Sequence, residues 1–204
     1  MGVTLINAPF RGLTWKTVLF HLVTFPIAIF YFVLTVVGLS LSIGLLIVVV
    51  GFFLGYGVLW LIHGMAPVEG WFVSKLLETP IRASLPEPTG SFMQRYKKMF
   101  TSPSTWLRIF YVPLKFITAI AGFGIATSAI SSLALLATPL LYQQEWFDVS
   151  ITNSWIVDTM SEAILVALIG LVASWILLYL SYVLGRLTAV LARAMISDPT
   201  GVVL

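Results

Sequence analysis

The positively charged residues of this chain are confined to one side of a four-segment apolar pattern. All eleven Lys and Arg residues lie before the first apolar stretch, between the second and third, or at and after the end of the fourth. The polar segment between the third and fourth stretches, residues 142–162, contains acidic residues and no basic one. Because Lys and Arg concentrate near span ends on the cytoplasmic side, the pattern predicts four spans with both termini in the cytoplasm.

The composition is that of an integral membrane protein. The chain is 59% hydrophobic and 9% charged, whereas a soluble domain is typically about 25% charged. We therefore expect a multi-pass protein of the cell membrane, with the lipid bilayer as its first partner. Basic residues that flank apolar spans explain the net charge of +3 through orientation and lipid headgroups, so no nucleic acid partner is expected.

The span boundaries are predicted from the lengths of the apolar runs and from the positions of small residues between them. The apolar run over residues 17–65 is too long for one span of about 20 residues, and the small residues at 38–44 predict a turn between two spans. Ser102 and Pro103 are typical of a helix start, and the third and fourth spans are predicted near residues 109–142 and 163–182. Gly51 and Gly55 form a GxxxG pair, which favours close helix packing.

Two amphipathic stretches follow the second and fourth spans. Residues 66–78 and 183–196 are predicted to be interfacial helices along the headgroup boundary, with Glu69 on the polar face of the first. Prolines predict a loop over residues 79–90. The basic and aromatic cluster at residues 95–98 indicates either cytoplasmic charge or contact with an anionic lipid or an acidic partner.

The sequence also predicts a duplication within one membrane domain, residues 1–204. Thr14 and Trp15 align with Thr105 and Trp106, and residues 25–29 align with 116–120. The predicted halves are residues 9–80 and 102–199, joined by a cytoplasmic linker at 81–101. Since both halves start on the same side, the fold class expected is an all-α, integral membrane four-helix bundle of two parallel helix-pair repeats, related by an axis along the membrane normal.

Few residues could carry chemistry. His21 and His63 lie at similar depth on adjacent spans, where paired histidines could hold heme, or each could be an interfacial histidine with its own hydrogen-bond partner. Lys115 is expected to extend to the inner surface, and no ionisable group is expected at depth. The chain has no cysteine, which excludes thiol chemistry. We therefore predict a non-enzyme with no catalytic, cofactor-binding or metal-binding residues and no cofactor.

Several segments resemble a known family. Pro9-Phe10-Arg11, residues 25–32 and residues 38–44 in the first half, with residues 104–106, 137–140, 155–159 and 185–187 in the second, are similar to the putative sensor domain. That membrane region precedes the kinase core in some bacterial histidine kinases and stands alone in other proteins. The resemblance covers nearly the whole chain and implies a four-helix membrane module with cytoplasmic termini and no catalytic residues.

Three functions are consistent with these patterns. The first is a sensor or regulatory module that acts through a partner protein or a homo-oligomer, because no kinase core follows within the 204 residues. Its expected contact surfaces are residues 146–162, 66–100 and 183–198. The alternative is a structural or accessory subunit of a larger membrane complex. The third is a carrier of lipid or of a small apolar molecule.

Overall fold

The computed structural model describes residues 4–83, 85, 90–143, 150–152 and 155–197. These residues form the helices α1 (Gly12–Gly44), α2 (Val50–Leu76), α3 (Phe92–Thr101), α4 (Pro103–Ala134), α5 (Thr138–Leu141) and α6 (Met160–Ile196). Short 3₁₀ turns lie at Ala8–Phe10, Leu46–Val48 and Leu135–Ala137. Two short strands, β1 (Ser150–Thr152) and β2 (Trp155–Ile156), pair antiparallel between α5 and α6.

Four helical stretches of the described residues are long and apolar enough to cross a membrane. They contain 33, 27, 39 and 37 residues, and a bilayer core needs about 20. Large apolar side chains on their outer surfaces are exposed, among them Phe30, Leu140 and Val172. Such a surface is unfavourable in water and favourable in lipid. The prediction of an all-α, integral membrane fold with four long helices is confirmed.

The turn between α1 and α2 does not lie where it was predicted. α1 continues through residues 38–44 as far as Gly44, and the chain reverses at Leu46–Val48. Val49 ends this turn in the left-handed region, with φ of 65°, which is strained for a β-branched residue. The small residues serve helix contact instead: a Cβ on Gly51 would lie only 2.2 Å from the carbonyl oxygen of Ser42.

Contacts between side chains define the directions of the long helices. Lys16 of α1 contacts Glu78 just after α2, so α1 and α2 are antiparallel. Phe25 stacks on Phe123 and Phe32 stacks on Phe116. Because residue numbers rise along α1 while those of their partners fall along α4, these two helices are also antiparallel.

α6 runs in the same direction as α1. Phe10 contacts Trp175, and a Cβ on Gly185 would meet Thr17, so residue numbers rise together along the two helices. α2 and α4 likewise share a direction, because each is antiparallel to α1. After α2, Ile81 lies back against that helix, where its backbone N–H donates to Ser74 Oγ.

These directions correct the predicted parallel arrangement of the two halves. An axis along the membrane normal would make α1 and α4 parallel, whereas the phenylalanine pairs show that they are antiparallel. α3 also packs beside the α1–α2 turn, with the rings of Tyr96 and Phe52 4.3 Å apart. The charge pattern places these two segments on opposite sides of the membrane.

The two stretches predicted as interfacial helices continue the helices before them. Residues 66–76 belong to α2, and residues 183–196 belong to α6. Glu69 is not on an exposed polar face, because only 2% of its surface is accessible; this part of the prediction was wrong. A separate amphipathic helix is formed instead by α3, where Ser91 and Gln94 make a capping box.

The main core packs where α1, α2, α4 and α6 converge. Its buried residues include Phe20, Val73, Leu77, Tyr111 and Ile196. This apolar cluster surrounds the polar site described next.

Candidate functional site

A buried ion pair joins α2 to α4. Lys115 Nζ lies 2.5 Å from Glu69 Oε1, and the two side chains are 3% and 2% exposed. The hydroxyl of Tyr111 donates to the same oxygen at 3.1 Å. The second carboxylate oxygen, Oε2, has no hydrogen-bond partner in the described part of the chain. One carboxylate is therefore held by two donors, an ammonium and a phenol, one helical turn apart on α4.

The other two long helices complete the site. Lys115 Nζ lies 4.4 Å from the ring centroid of Phe20 of α1, a cation–π distance. A cavity of about 20 Å³ adjoins the ion pair, with Tyr31 of α1 and Ile196 of α6 at its wall together with the buried side chain of Arg108. This volume has room for about one water molecule, and Glu69 supplies an acceptor at the wall.

The energetics of this site follow from burial. A buried charge pair is stable only while both partners are present, and removing one of them typically costs about 3–5 kcal/mol. The pair thus couples the position of α2 to that of α4.

The two histidines occupy separate polar environments. His21 Nε2 lies 3.1 Å from the carbonyl oxygen of Ser181. His63 Nδ1 lies 2.9 Å from the carbonyl oxygen of Leu59, and its Nε2 lies 3.3 Å from Thr105 Oγ1. Each histidine is buried and has its own hydrogen-bond partners. In the described ranges no group of three His, Asp or Glu side chains is arranged to hold a metal ion.

The structure brings together residues that the sequence analysis placed apart. Lys115 was expected to reach the inner surface and Glu69 to face the headgroups; both expectations were wrong, because the two residues pair. They are 46 positions apart, so no local spacing links them. The available signal was that each is a single charged residue in a long apolar setting, and such residues usually have a partner. Trp146 and Phe147, part of the contact surface expected at residues 146–162, lie outside the described residues.

The long apolar helices and the buried site define the class of protein: a multi-helix membrane protein with an internal ion pair. A family model described as "Sensor: Putative sensor" matches residues 13–196. The chain belongs to this family and is a sensor-like membrane protein, which confirms the resemblance found in the sequence. No curated protein and no solved structure matches it.

Proposed function

We propose that this chain is a non-enzymatic regulatory module that senses a state of the membrane or of the exterior and passes it to a partner protein. The match of the sensor family over residues 13–196 carries the proposal. The ion-pair site supports it, because Glu69 and Lys115 lie where all four long helices meet. A change in helix packing at this point would move the ends of α2 and α6, which carry Lys75 and Arg193.

Quantitative purification from the native membrane tests whether a partner protein binds. Full-length tagged chain is extracted in mild detergent from cells grown in two conditions that change membrane composition. A regulatory module should retain a partner whose amount changes between the conditions, and Lys115→Met should abolish that change. Lys16→Gln, which removes a lysine from an exposed pair, is the matched control and should leave the change intact. A partner held at fixed stoichiometry in every sample would instead establish an accessory subunit and overturn the proposal.

The orientation belongs to the same proposal. The one-sided distribution of Lys and Arg supports a protein of the cell membrane with both termini cytoplasmic. This orientation requires a cytoplasmic linker at 81–101. Because α3 packs beside the α1–α2 turn, the accessibility of position 91 tests this orientation. The shared direction of α1 and α6 also puts the end of α6 at the opposite end of the bundle from the start of α1, so the accessibility of position 197 tests it as well.

We also propose that the two halves of the chain are a duplication. The axis that relates them is perpendicular to the helices and not along the membrane normal. The aligned tryptophans make equivalent bonds: Trp15 Nε1 donates to Pro9 O at 2.9 Å, and Trp106 Nε1 donates to Phe100 O at 3.0 Å. The phenylalanine pairs are reciprocal, as an isologous contact requires, since Phe25 aligns with Phe116 and Phe32 with Phe123.

A further inference from the structure

A second and larger cavity lies where the α1–α2 turn, α3 and the start of α4 meet. Its volume is about 340 Å³, within the range of small-molecule sites. Its wall is mostly apolar and includes Leu46, Gly55, Leu59, Phe100, Trp106 and Ile109. None of these residues takes part in the ion-pair site.

The α3 side of the cavity carries positive charge. The aromatic face of α3 packs on α2 through Phe92 and Tyr96, which leaves Lys97 and Lys98 exposed. Neither lysine has an ion pair in the described part of the chain. Lys97 lies three positions before Phe100, an α3 residue at the cavity wall, and residues three positions apart are neighbours on a helix surface.

The cavity also adjoins exposed apolar side chains. Leu46, in the turn between the first two candidate spans, is 51% exposed, and Trp106, near the start of the third, is 43% exposed. A ligand can therefore enter from the apolar phase without crossing water. An apolar slot beside basic residues matches a molecule with a hydrocarbon chain and an anionic head.

We infer that this cavity binds one acyl chain of an anionic phospholipid, whose phosphate lies against Lys97 with Lys98 adding to the local positive field. The inference rests on membrane insertion and not on the regulatory function proposed above. The same site would be present in a regulator, an accessory subunit or a carrier.

The experiment compares two lipids that have the same acyl chains and headgroups of different net charge. Full-length protein is purified in mild detergent, incubated with phosphatidylglycerol or with phosphatidylcholine of the same acyl chains, and examined by native mass spectrometry. We expect one tightly retained phosphatidylglycerol per chain and at least about tenfold weaker retention of phosphatidylcholine, as two nearby basic residues would produce. Equal retention of the two lipids would contradict the inference.

Variants locate the lipid. Lys97→Gln with Lys98→Gln should remove the preference for phosphatidylglycerol. The control Lys75→Gln with Arg82→Gln removes the same charge from exposed residues at the other end of α2 and should leave the preference unchanged.

Leu46→Trp fills the cavity from an exposed wall position and should reduce retention of phosphatidylglycerol by tenfold or more; Ile109→Trp is the second filling variant if the first does not fold. Wild-type retention in a folded filling variant, or an equal loss of preference in the control, would overturn the inference.

Discussion

Gly122 of α4 lies directly against the imidazole of His21 of α1. A Cβ placed on Gly122 would be 2.2 Å from His21 Nδ1 and 2.6 Å from Cγ, closer than non-bonded atoms can approach. The imidazole is itself buried and lies next to the carbonyl oxygen of Ser181, so it has little room to move. This contact fixes how closely α1 can approach α4.

The first prediction follows from that contact. Gly122→Ala should destabilise the detergent-solubilised protein by about 1–3 kcal/mol, the usual cost of overpacking, because α1 and α4 must separate. Gly124→Ala is the control on the same helix, since a Cβ there meets nothing within 4 Å. It should be neutral or stabilising by up to about 1 kcal/mol. Thermal unfolding of both variants checks this, and equal melting temperatures would contradict the close contact.

The second prediction concerns the buried ion pair. Glu69→Gln and Lys115→Met should each destabilise the protein by about 3–5 kcal/mol, because each leaves a buried charge without its partner. The double variant should recover much of that loss, since no charge then remains in the pair. A double-mutant cycle on unfolding free energies measures the coupling.

An exposed pair of the same chemistry provides the control for that cycle. Lys16 and Glu78 contact each other at 2.6 Å with side chains 49% and 53% exposed. Lys16→Gln should cost no more than about 1 kcal/mol. If the single variants at Glu69 and Lys115 lose no more unfolding free energy than Lys16→Gln, the buried pair does not form.

The third prediction tests the direction of α4 against α1. Cysteine pairs at positions 25 and 123 and at positions 32 and 116 should be joined by a short thiol cross-linker, because these side chains stack at 4.2 Å and 4.3 Å in the native protein. The pair at positions 25 and 116 should not react, because these two positions would be neighbours only if α1 and α4 were parallel. Proteolysis at a site introduced between the halves separates cross-linked from free chains on a gel.

The fourth prediction concerns orientation. Single cysteines at positions 91, 150 and 197 of this cysteine-free chain are treated from outside with an impermeant thiol reagent. Only position 150 should react, since the basic segments that contain or adjoin the other two are expected in the cytoplasm. Permeabilised cells provide the control, where all three should react. External labelling at position 91 would refute the cytoplasmic linker and would agree with the packing of α3 beside the α1–α2 turn. External labelling at position 197 would refute the cytoplasmic C-terminus and would agree with the shared direction of α1 and α6.

The sequence could predict what depends on local composition. Four long apolar helices follow from span length, and Ser102 followed by Pro103 marks the start of α4 as expected. The GxxxG glycine Gly51 does make a close helix contact. These features depend on the solvent and on neighbours within one or two turns, and both can be read from the chain directly.

Helix direction and the partners of buried charges could not be predicted in the same way. The turn was misplaced because Gly38 and Ser42 look like turn residues, yet a membrane favours an unbroken helix whose backbone groups are bonded. Glu69 and Lys115 were assigned to the surface because each was considered alone. Their pairing depends on which helix lies beside which, and that arrangement depends on contacts such as Phe25 with Phe123 across the two halves.

The ion pair also has a consequence for how the protein is made. α2 carries Glu69 and is synthesised before α4, which carries Lys115, so the carboxylate has no lysine when its helix first reaches the insertion machinery. An unpaired charge costs up to about 2.5–3.5 kcal/mol on insertion scales when it lies at the centre of a membrane helix, and Glu69 lies in the last third of α2. We therefore expect α2 to remain beside the translocation channel, or to be inserted incompletely, until Lys115 has emerged. Biogenesis of the first helical hairpin would then depend on synthesis of the second.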